Sequence, residues 1–273
     1  MISEAIEILR EYEPEEGYYL AISAGGKDSM ICYDLLEKSG VKFDAHYNVT
    51  TIDPPEALRH LKKHYPKVIW HYPIYKGKPT NYYQLIRLKG LPLRQMKWCC
   101  EALKEYGGFG RLMIDGIRSA ESLKRSRRVK KEYFLNKYYK KKYKGKNVPD
   151  EILEELVAKQ KAKYVIHIIF EWTDKDVWDY IKAEKLPYCE LYDRGWERIG
   201  CIGCPESRKK DIARAFNTYP IIKRNIIKAI QRTMDIGRYY LEFNDAEDVF
   251  NWWISKKSVV DYFADKLQIK LDI

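Results

Sequence analysis

Two sets of residues in this chain have types and spacings suited to chemistry. The first is Ser23-Ala24-Gly25-Gly26-Lys27-Asp28-Ser29, which ends an apolar run and opens an amphipathic pattern. Paired glycines let the backbone turn with positive φ and approach a ligand without a Cβ. The amides that follow have no helical partner, and the helix dipole favours negative charge there. Lys27 adds a cation, and Ser23 and Ser29 add hydroxyls. The stretch therefore reads as an anion site, most simply for a nucleotide phosphate. It is not the G-x-x-x-x-G-K-[ST] loop, because the first glycine and the spacing are missing. The second set is Cys99-Cys100 with Cys201-x-x-Cys204. A CxxC places two thiolates on one metal or cluster, and two pairs complete four ligands, which zinc and a [4Fe–4S] cluster both accept. Adjacent cysteines suit a single zinc ion poorly, whereas a cluster spreads its ligand positions over several irons. Gly200 and Gly203 allow close backbone approach to sulfur, and Pro205 follows the last cysteine as in cluster-binding runs. Cys32 lies on an apolar helix face and reads as core. Cys189 reads as structural.

These residues need elements to hold them. GYYLAIS reads as a strand, followed by a helix from about Lys27 to Lys38. KFDAHYNVT is a second strand. Pro54-Pro55 opens a helix to about His64, since proline suits a first helical turn where its missing N–H is not needed. KVIWHYP is a third strand, residues 80 to 89 and 94 to 105 are helical, and RLMIDGI and YVIHIIF are further strands. WTDKDVWDYIKAEK opens with Thr173 as N-cap and two aspartates in the first turn. This alternation predicts an α/β fold, a parallel sheet with helices on both faces. Ligands in such sheets sit beyond the carboxyl ends of the strands. After Cys204 no convincing strand follows, and residues 206 to 217, 219 to 238 and 245 to 267 read as helical. The expected division is 1–205 as a nucleotide-binding α/β domain, with an insertion at about 124–163, and 206–273 as a helical C-terminal subdomain packed on the sheet.

With 273 residues, 45% of them apolar, the chain can bury a sizeable core. No stretch approaches the roughly 20 uncharged apolar residues of a membrane span. MISEAIEILREYEPEEG reads as an acidic amphipathic helix, not a signal peptide. The expected location is cytoplasmic, where thiols stay reduced and six cysteines need not pair. The net charge is +11, and residues Lys124–Lys146 hold twelve Lys or Arg against one Glu, numerically the whole excess. Such a run is either a solvated surface or a contact to DNA or RNA phosphates. Its interleaved Tyr133, Phe134, Tyr138, Tyr139 and Tyr143 either pack on the domain or stack on bases.

SAGGKDS resembles the S-G-G-x-D-S loop of the ATP pyrophosphatases, the PP-loop or adenine nucleotide alpha hydrolase superfamily, with Ala24 where the usual pattern has its serine. The double cysteine with a distant CxxC is similar to the iron–sulfur type of the adenylylsulfate and phosphoadenylylsulfate (PAPS) reductase family of that superfamily. GLPLRQMKWCCEALK, DGIRSAESLKR, NVTTIDPPEAL and FEWTDKDVWDYIKAEKLPYCELYDRGWERIGCIGCP resemble further family segments, over roughly residues 18 to 207. The resemblance implies a [4Fe–4S] cluster on Cys99, Cys100, Cys201 and Cys204. It implies a nucleotide, ATP or a sulfonucleotide, held by Ser23, Gly25, Gly26, Lys27, Asp28, Ser29, Asp53 and Arg118. Lys27, Asp28 and Arg118 would then be the catalytic residues, Asp53 a nucleotide or magnesium contact, and Arg118 a bidentate donor to phosphate. The arginine segment also brings Glu121, Ser122 and Arg125.

Two departures bear on the reaction. The reductases carry a nucleophilic cysteine in a Glu-Cys-Gly-Leu motif, and no cysteine follows Cys204 here. Cys189 substitutes only if the fold brings it to the site. The Gly-Gly-Lys-Asp-Ser core is intact, as in the ATP-splitting branch that includes the small subunit of ATP sulfurylase and the DNA phosphorothioation sulfurtransferases. Three expectations follow. The first is an ATP-using sulfurtransferase acting on nucleic acid, with magnesium and a sulfur donor. The second is a sulfonucleotide reductase served by a partner thiol or thiol-reductant protein. The third is a nucleotide and cluster sensor without catalysis. The sequence carries no signature of oligomeric state.

Overall fold

The structure, a computed structural model, describes residues 1–237 and 240–271, without the side chains of Lys124 and residues 268–271. The remaining residues of the expected 206–273 subdomain lie outside the described set. The chain divides into two compact units.

The first unit comprises residues 1–48, 55–71 and 106–199. It contains one six-stranded sheet, built from β1 (Tyr18–Ile22), β2 (Phe43–Asn48), β3 (Ile69–His71), β6 (Leu112–Ile114), β7 (Lys131–Leu135) and β8 (Ala162–Ile166). The order is β3-β2-β1-β6-β8-β7. All neighbours pair in parallel except β7, which runs antiparallel to β8 with Glu132 opposite Val165. The sequence predicts a parallel sheet with an insertion beside it. The insertion instead supplies β7, the antiparallel edge. Its Lys131 and Glu132 hide the strand pattern of Tyr133, Phe134 and Leu135 in a run of charge.

β1 is the central strand, and both its faces are buried, the pattern of a parallel strand covered on two sides. Leu20, Ile31, Leu35 and Leu36 are fully buried, so helix Lys27–Ser39 seats an apolar face. That helix ends at Gly40 with φ 76°, a left-handed position that glycine adopts without strain. Helix Asp174–Ala183 starts as expected at Thr173. The Thr173 side chain accepts from the Asp176 amide and Asp176 reaches back, a capping box. Helix Pro55–His64 follows β2, and Asn136 caps Lys137–Lys142 within the basic segment.

The second unit comprises residues 49–54, 72–105 and 200–273. It holds a two-stranded hairpin, β4 (Ile74–Tyr75) and β5 (Lys78–Pro79), with helices Tyr82–Lys89, Trp98–Leu103, Lys209–Thr218, Pro220–Met234, Ala246–Ser255 and Val259–Leu271. The helix expected over 245–267 is two, because Lys256 takes a left-handed φ of 60° after Ser255. This division differs from a boundary at 205/206. The change of composition marks only the last segment, whereas residues 49–54 and 72–105 join it through contacts remote in sequence. Among the described residues no helix is long and apolar enough to cross a membrane.

Candidate active site

The chain order of the strands reverses between β1 and β6, so the loops after those two strands flank a topological switch point. The loop after β1 is Ser23–Gly26. Gly25 has φ 66°, and a Cβ there would come within 2.9 Å of the Ala57 side chain and 3.3 Å of Cys189 Cβ. A Cβ at Gly26 would fall 2.2 Å from the Ser23 hydroxyl. Gly25 is therefore required by space and by conformation, whereas a side chain at Gly26 would displace the Ser23 hydroxyl. Ser29 Oγ donates to the Gly26 carbonyl at 2.9 Å and lies 3.2 Å from Ser23 Oγ. The two hydroxyls thus shape the loop from within.

Lys27 and Asp28 start the helix. Lys27 is buried, with Nζ 3.7 Å from Asp28 Oδ2 and 3.5 Å from Asp174 Oδ1. Its backbone N–H donates to the Tyr192 hydroxyl at 3.1 Å. From the loop after β6, Arg118 comes in at 1% exposure, with every face of its guanidinium engaged. Nε donates to Asp28 at 2.7 Å, Nη2 to Asp174 at 2.7 Å, and Nη1 to the Trp172 carbonyl at 3.1 Å. Burial works against the charged Asp174 carboxyl, but Arg118, with Lys27 behind it, holds it below the usual range. Two cations and two carboxylates thus form one neutral network across the mouths of β1 and β6.

A second layer fixes that turn. Asp115 Oδ1 accepts the Ile117 amide at 3.1 Å and lies 2.5 Å from Nδ1 of the buried His167. A Cβ at Gly116 would meet Asp28 Cβ at 2.9 Å, so glycine lets the two loops touch. Arg125 is ion-paired to Glu121. Burial first, and Arg198 beside it, lower its pKa to about 10. Cys189 lies against the loop, but it is fully buried, and burial raises its thiol pKa.

The other chemical centre lies wholly in the second unit. Cys99 and Cys100 sit on helix Trp98–Leu103, and the Cys204 amide donates to the Cys201 carbonyl at 3.2 Å. The hydrogen bond to Cys100, then burial and the charges of Cys201 and Cys204, raise Cys99. That same hydrogen bond, with Lys104 and Lys97 nearby, brings Cys100 down to about 7 against burial. Cys201 is raised by burial and then by Asp53. Asp53 itself accepts from Thr50 Oγ1 at 2.7 Å. Tyr82, buried and stacked on Trp98 at 5.6 Å, lies within the electrostatic reach of Cys99, Cys201 and Cys204. Among the described residues no disulfide forms, and no three ligating groups converge on a single metal ion.

Residues 19–207 match the family described as the phosphoadenosine phosphosulfate reductase domain. This chain belongs to that family. The adenosine 5'-phosphosulfate reductase of Oceanobacillus iheyensis is 30% identical over 188 residues, 66% of this chain and 68% of that protein. The protein MJ0066 of Methanocaldococcus jannaschii is 27% identical over 261 residues, 91% of this chain and 47% of its own length, and MJ0973 of the same organism is also 27% identical. The chain thus spans about half the length of those two relatives. Among solved structures, the phosphate complex of the PAPS reductase from Candida auris is 17% identical with a TM-score of 0.48, covering 72% of this chain and 88% of that one.

Within this family member the first unit brings Ser23, Gly25, Gly26, Lys27, Asp28, Ser29 and Arg118 together, and the second gathers Cys99, Cys100, Cys201 and Cys204 with Asp53. Sequence reasoning missed Asp174, Tyr192 and the Asp115–His167 pair. In the sequence Asp174 is only an acid in a first helical turn. Tyr192 lies inside a family-like segment without a role of its own. A histidine in the apolar run YVIHIIF was a signal available for His167, since buried imidazoles need partners.

Proposed function

We propose that this PAPS reductase family member is a nucleotide-dependent sulfur-transfer enzyme that uses ATP and modifies a nucleic acid. An acceptor oxygen attacks the α-phosphorus of ATP, pyrophosphate leaves with the electrons of the broken P–O bond, and a sulfur nucleophile then displaces AMP. The observation that carries this reading is the neutral network of Lys27, Arg118, Asp28 and Asp174. A triphosphate needs more positive charge than a neutral site supplies, and the magnesium that accompanies ATP provides it. Asp28 and Asp174 are the carboxylates suited to that ion. Lys27 and the outward amides of its helix hold phosphate oxygens, and Arg118 positions Asp28 and Asp174 in place of the direct phosphate contact expected of it.

The four cysteines of the second unit fit a [4Fe–4S] cluster better than one ion. They form two pairs in the sequence, Cys99-Cys100 and Cys201-x-x-Cys204, whose charges act on one another. Lys97, Lys104 and Lys256 near them favour thiolates. Such a cluster would position or carry the sulfur to be transferred. The acceptor reading rests on Lys124–Lys146, where Lys142 lies over the rings of Tyr139 and Tyr143, with Lys140, Lys141 and Lys144 beside it in the chain.

A second reading is reduction of a sulfonucleotide with a thiol from a partner, favoured by the likeness to the O. iheyensis reductase. Cys32 and Cys189 are fully buried with raised thiols, so neither is suited to attack sulfur. One experiment separates the readings. Anaerobically purified protein is given ATP with magnesium and nucleic acid, or phosphoadenylylsulfate with a dithiol. Pyrophosphate from the first supports the proposal. Sulfite from the second, without pyrophosphate from the first, replaces it with the reductase.

A further inference from the structure

We infer that the hairpin of residues 72–80 in the second unit is a docking surface for single-stranded nucleic acid, an inference that rests on the acceptor reading above. Residues 57–100 contain ten Lys or Arg and no Asp or Glu. Six of those cations, Lys76, Lys78, Arg87, Lys89, Arg94 and Lys97, belong to the second unit. This positive stretch is separate from Lys124–Lys146 and balanced in the total by an acidic N-terminal region.

The hairpin turns on Lys76 and Gly77, both with positive φ, at 50° and 75°. This is the two-residue turn whose twist matches its strands. Ile74 lies opposite Pro79, Tyr75 opposite Lys78, and the Thr80 amide closes the ladder on the Pro73 carbonyl at 3.0 Å. Tyr75 and Lys78 therefore share one face, and two further ammonium groups lie over the same ring, Lys89 at 4.9 Å and Lys76 at 5.9 Å. Tyr72 is 70% exposed and Ile74 66% exposed. The hairpin thus carries exposed apolar side chains on one face and a tyrosine ring held among lysines on the other, with no carboxylate in the surrounding sequence, a combination that matches a strand with negative phosphates and flat bases. Stacking on an aromatic ring tolerates any base, and the lysines follow the backbone.

The position gives the surface a use. Lys89, over Tyr75, ends the helix that Tyr82 begins, and Tyr82 feels the charge of Cys99, Cys201 and Cys204. From Tyr82 to Lys89 the helix rises about 10 Å. A strand held on the hairpin is thus at one end of a short helix whose other end lies within the electrostatic reach of the cysteines.

The test is fluorescence anisotropy with labelled 12-nucleotide single-stranded RNA and DNA, on the intact protein, from 50 to 200 mM salt. Tyr72→Ala should weaken binding about tenfold. Lys76→Gln with Lys78→Gln should reduce the slope of log affinity against log salt by about 1.4, or 0.7 for each phosphate no longer neutralised. Thermal unfolding of each variant, unchanged from wild type, shows that the fold is kept. Tighter binding of one polymer, weakened in the hairpin variants, shows which strand this surface takes. If wild type binds both strands and the hairpin variants bind as tightly with the same slope, this inference falls and the acceptor reading stands on Lys124–Lys146. If wild type binds neither strand, the acceptor reading itself falls, and the hairpin with it.

Discussion

Lys27 and Arg118 are alike in charge and opposite in use. Lys27 Nζ touches its carboxylates at 3.5 and 3.7 Å, distances a phosphate oxygen can compete with. Arg118 is committed at 2.7 Å to both Asp28 and Asp174. Lys27→Ala should therefore weaken nucleotide binding, by about tenfold or more in calorimetric titration, while leaving the iron content measured for wild type the same. Arg118→Ala should lower stability by about 1–2 kcal/mol in a denaturant titration, less than a fully buried pair because Asp174 is largely exposed and Lys27 stays beside Asp28, and weaken nucleotide binding as a consequence. Equal stability of wild type and Arg118→Ala would show that the arginine does not hold the site together. The loop and the cysteine pairs were legible because adjacent residues carry their chemistry. Asp174 was not, because a carboxylate in the first turn of a helix already has a local explanation. Only the fold across β1, β6 and the start of helix Asp174–Ala183 brings it to Lys27.

At the level of elements, helix Pro55–His64 carries a pH dependence. His60 is buried, its Nε2 has no hydrogen-bond partner among the described residues, and burial, with His64 and Lys63, lowers its pKa to about 4. Between pH 6.5 and 4 the unfolded chain therefore binds the extra proton, so stability falls as pH falls through that window. By pH 5 the loss attributable to His60 should be about 1–2 kcal/mol. His60→Leu should flatten the acid limb of a stability-against-pH curve measured by urea unfolding, and an identical limb in both proteins would remove His60 as its cause. The helix Lys137–Lys142 carries the second element-scale expectation. Replacing Lys140, Lys141, Lys142 and Lys144 with alanine should flatten the salt slope of nucleic acid binding by about three units and spare ATP binding. An unchanged slope would leave this helix as a solvated surface. Alternation of strand and helix announced the central sheet in advance. β7 stayed hidden because its side chains mix charge with aromatics, and β4 and β5 because two-residue strands are too short to show a period.

For the whole molecule, iron is the decisive measurement. Anaerobically prepared protein should contain about four irons and matching sulfide per chain. Stoichiometric zinc without sulfide would replace the cluster with a different centre. The second unit that holds these cysteines is drawn from residues 49–54, 72–105 and 200–273. Its two thiol pairs are therefore made far apart in time. At roughly 5–20 residues per second of synthesis, Cys99 and Cys100 precede Cys201 by about 5–20 s. During that interval a nascent chain carries Cys99 and Cys100 without Cys201 and Cys204, open to oxidation and to stray metals. If the four cysteines hold the proposed cluster, slow translation before codon 201 should thus lower the iron content per chain, and co-expression of cluster-delivery proteins should raise it, without any change in the folded protein.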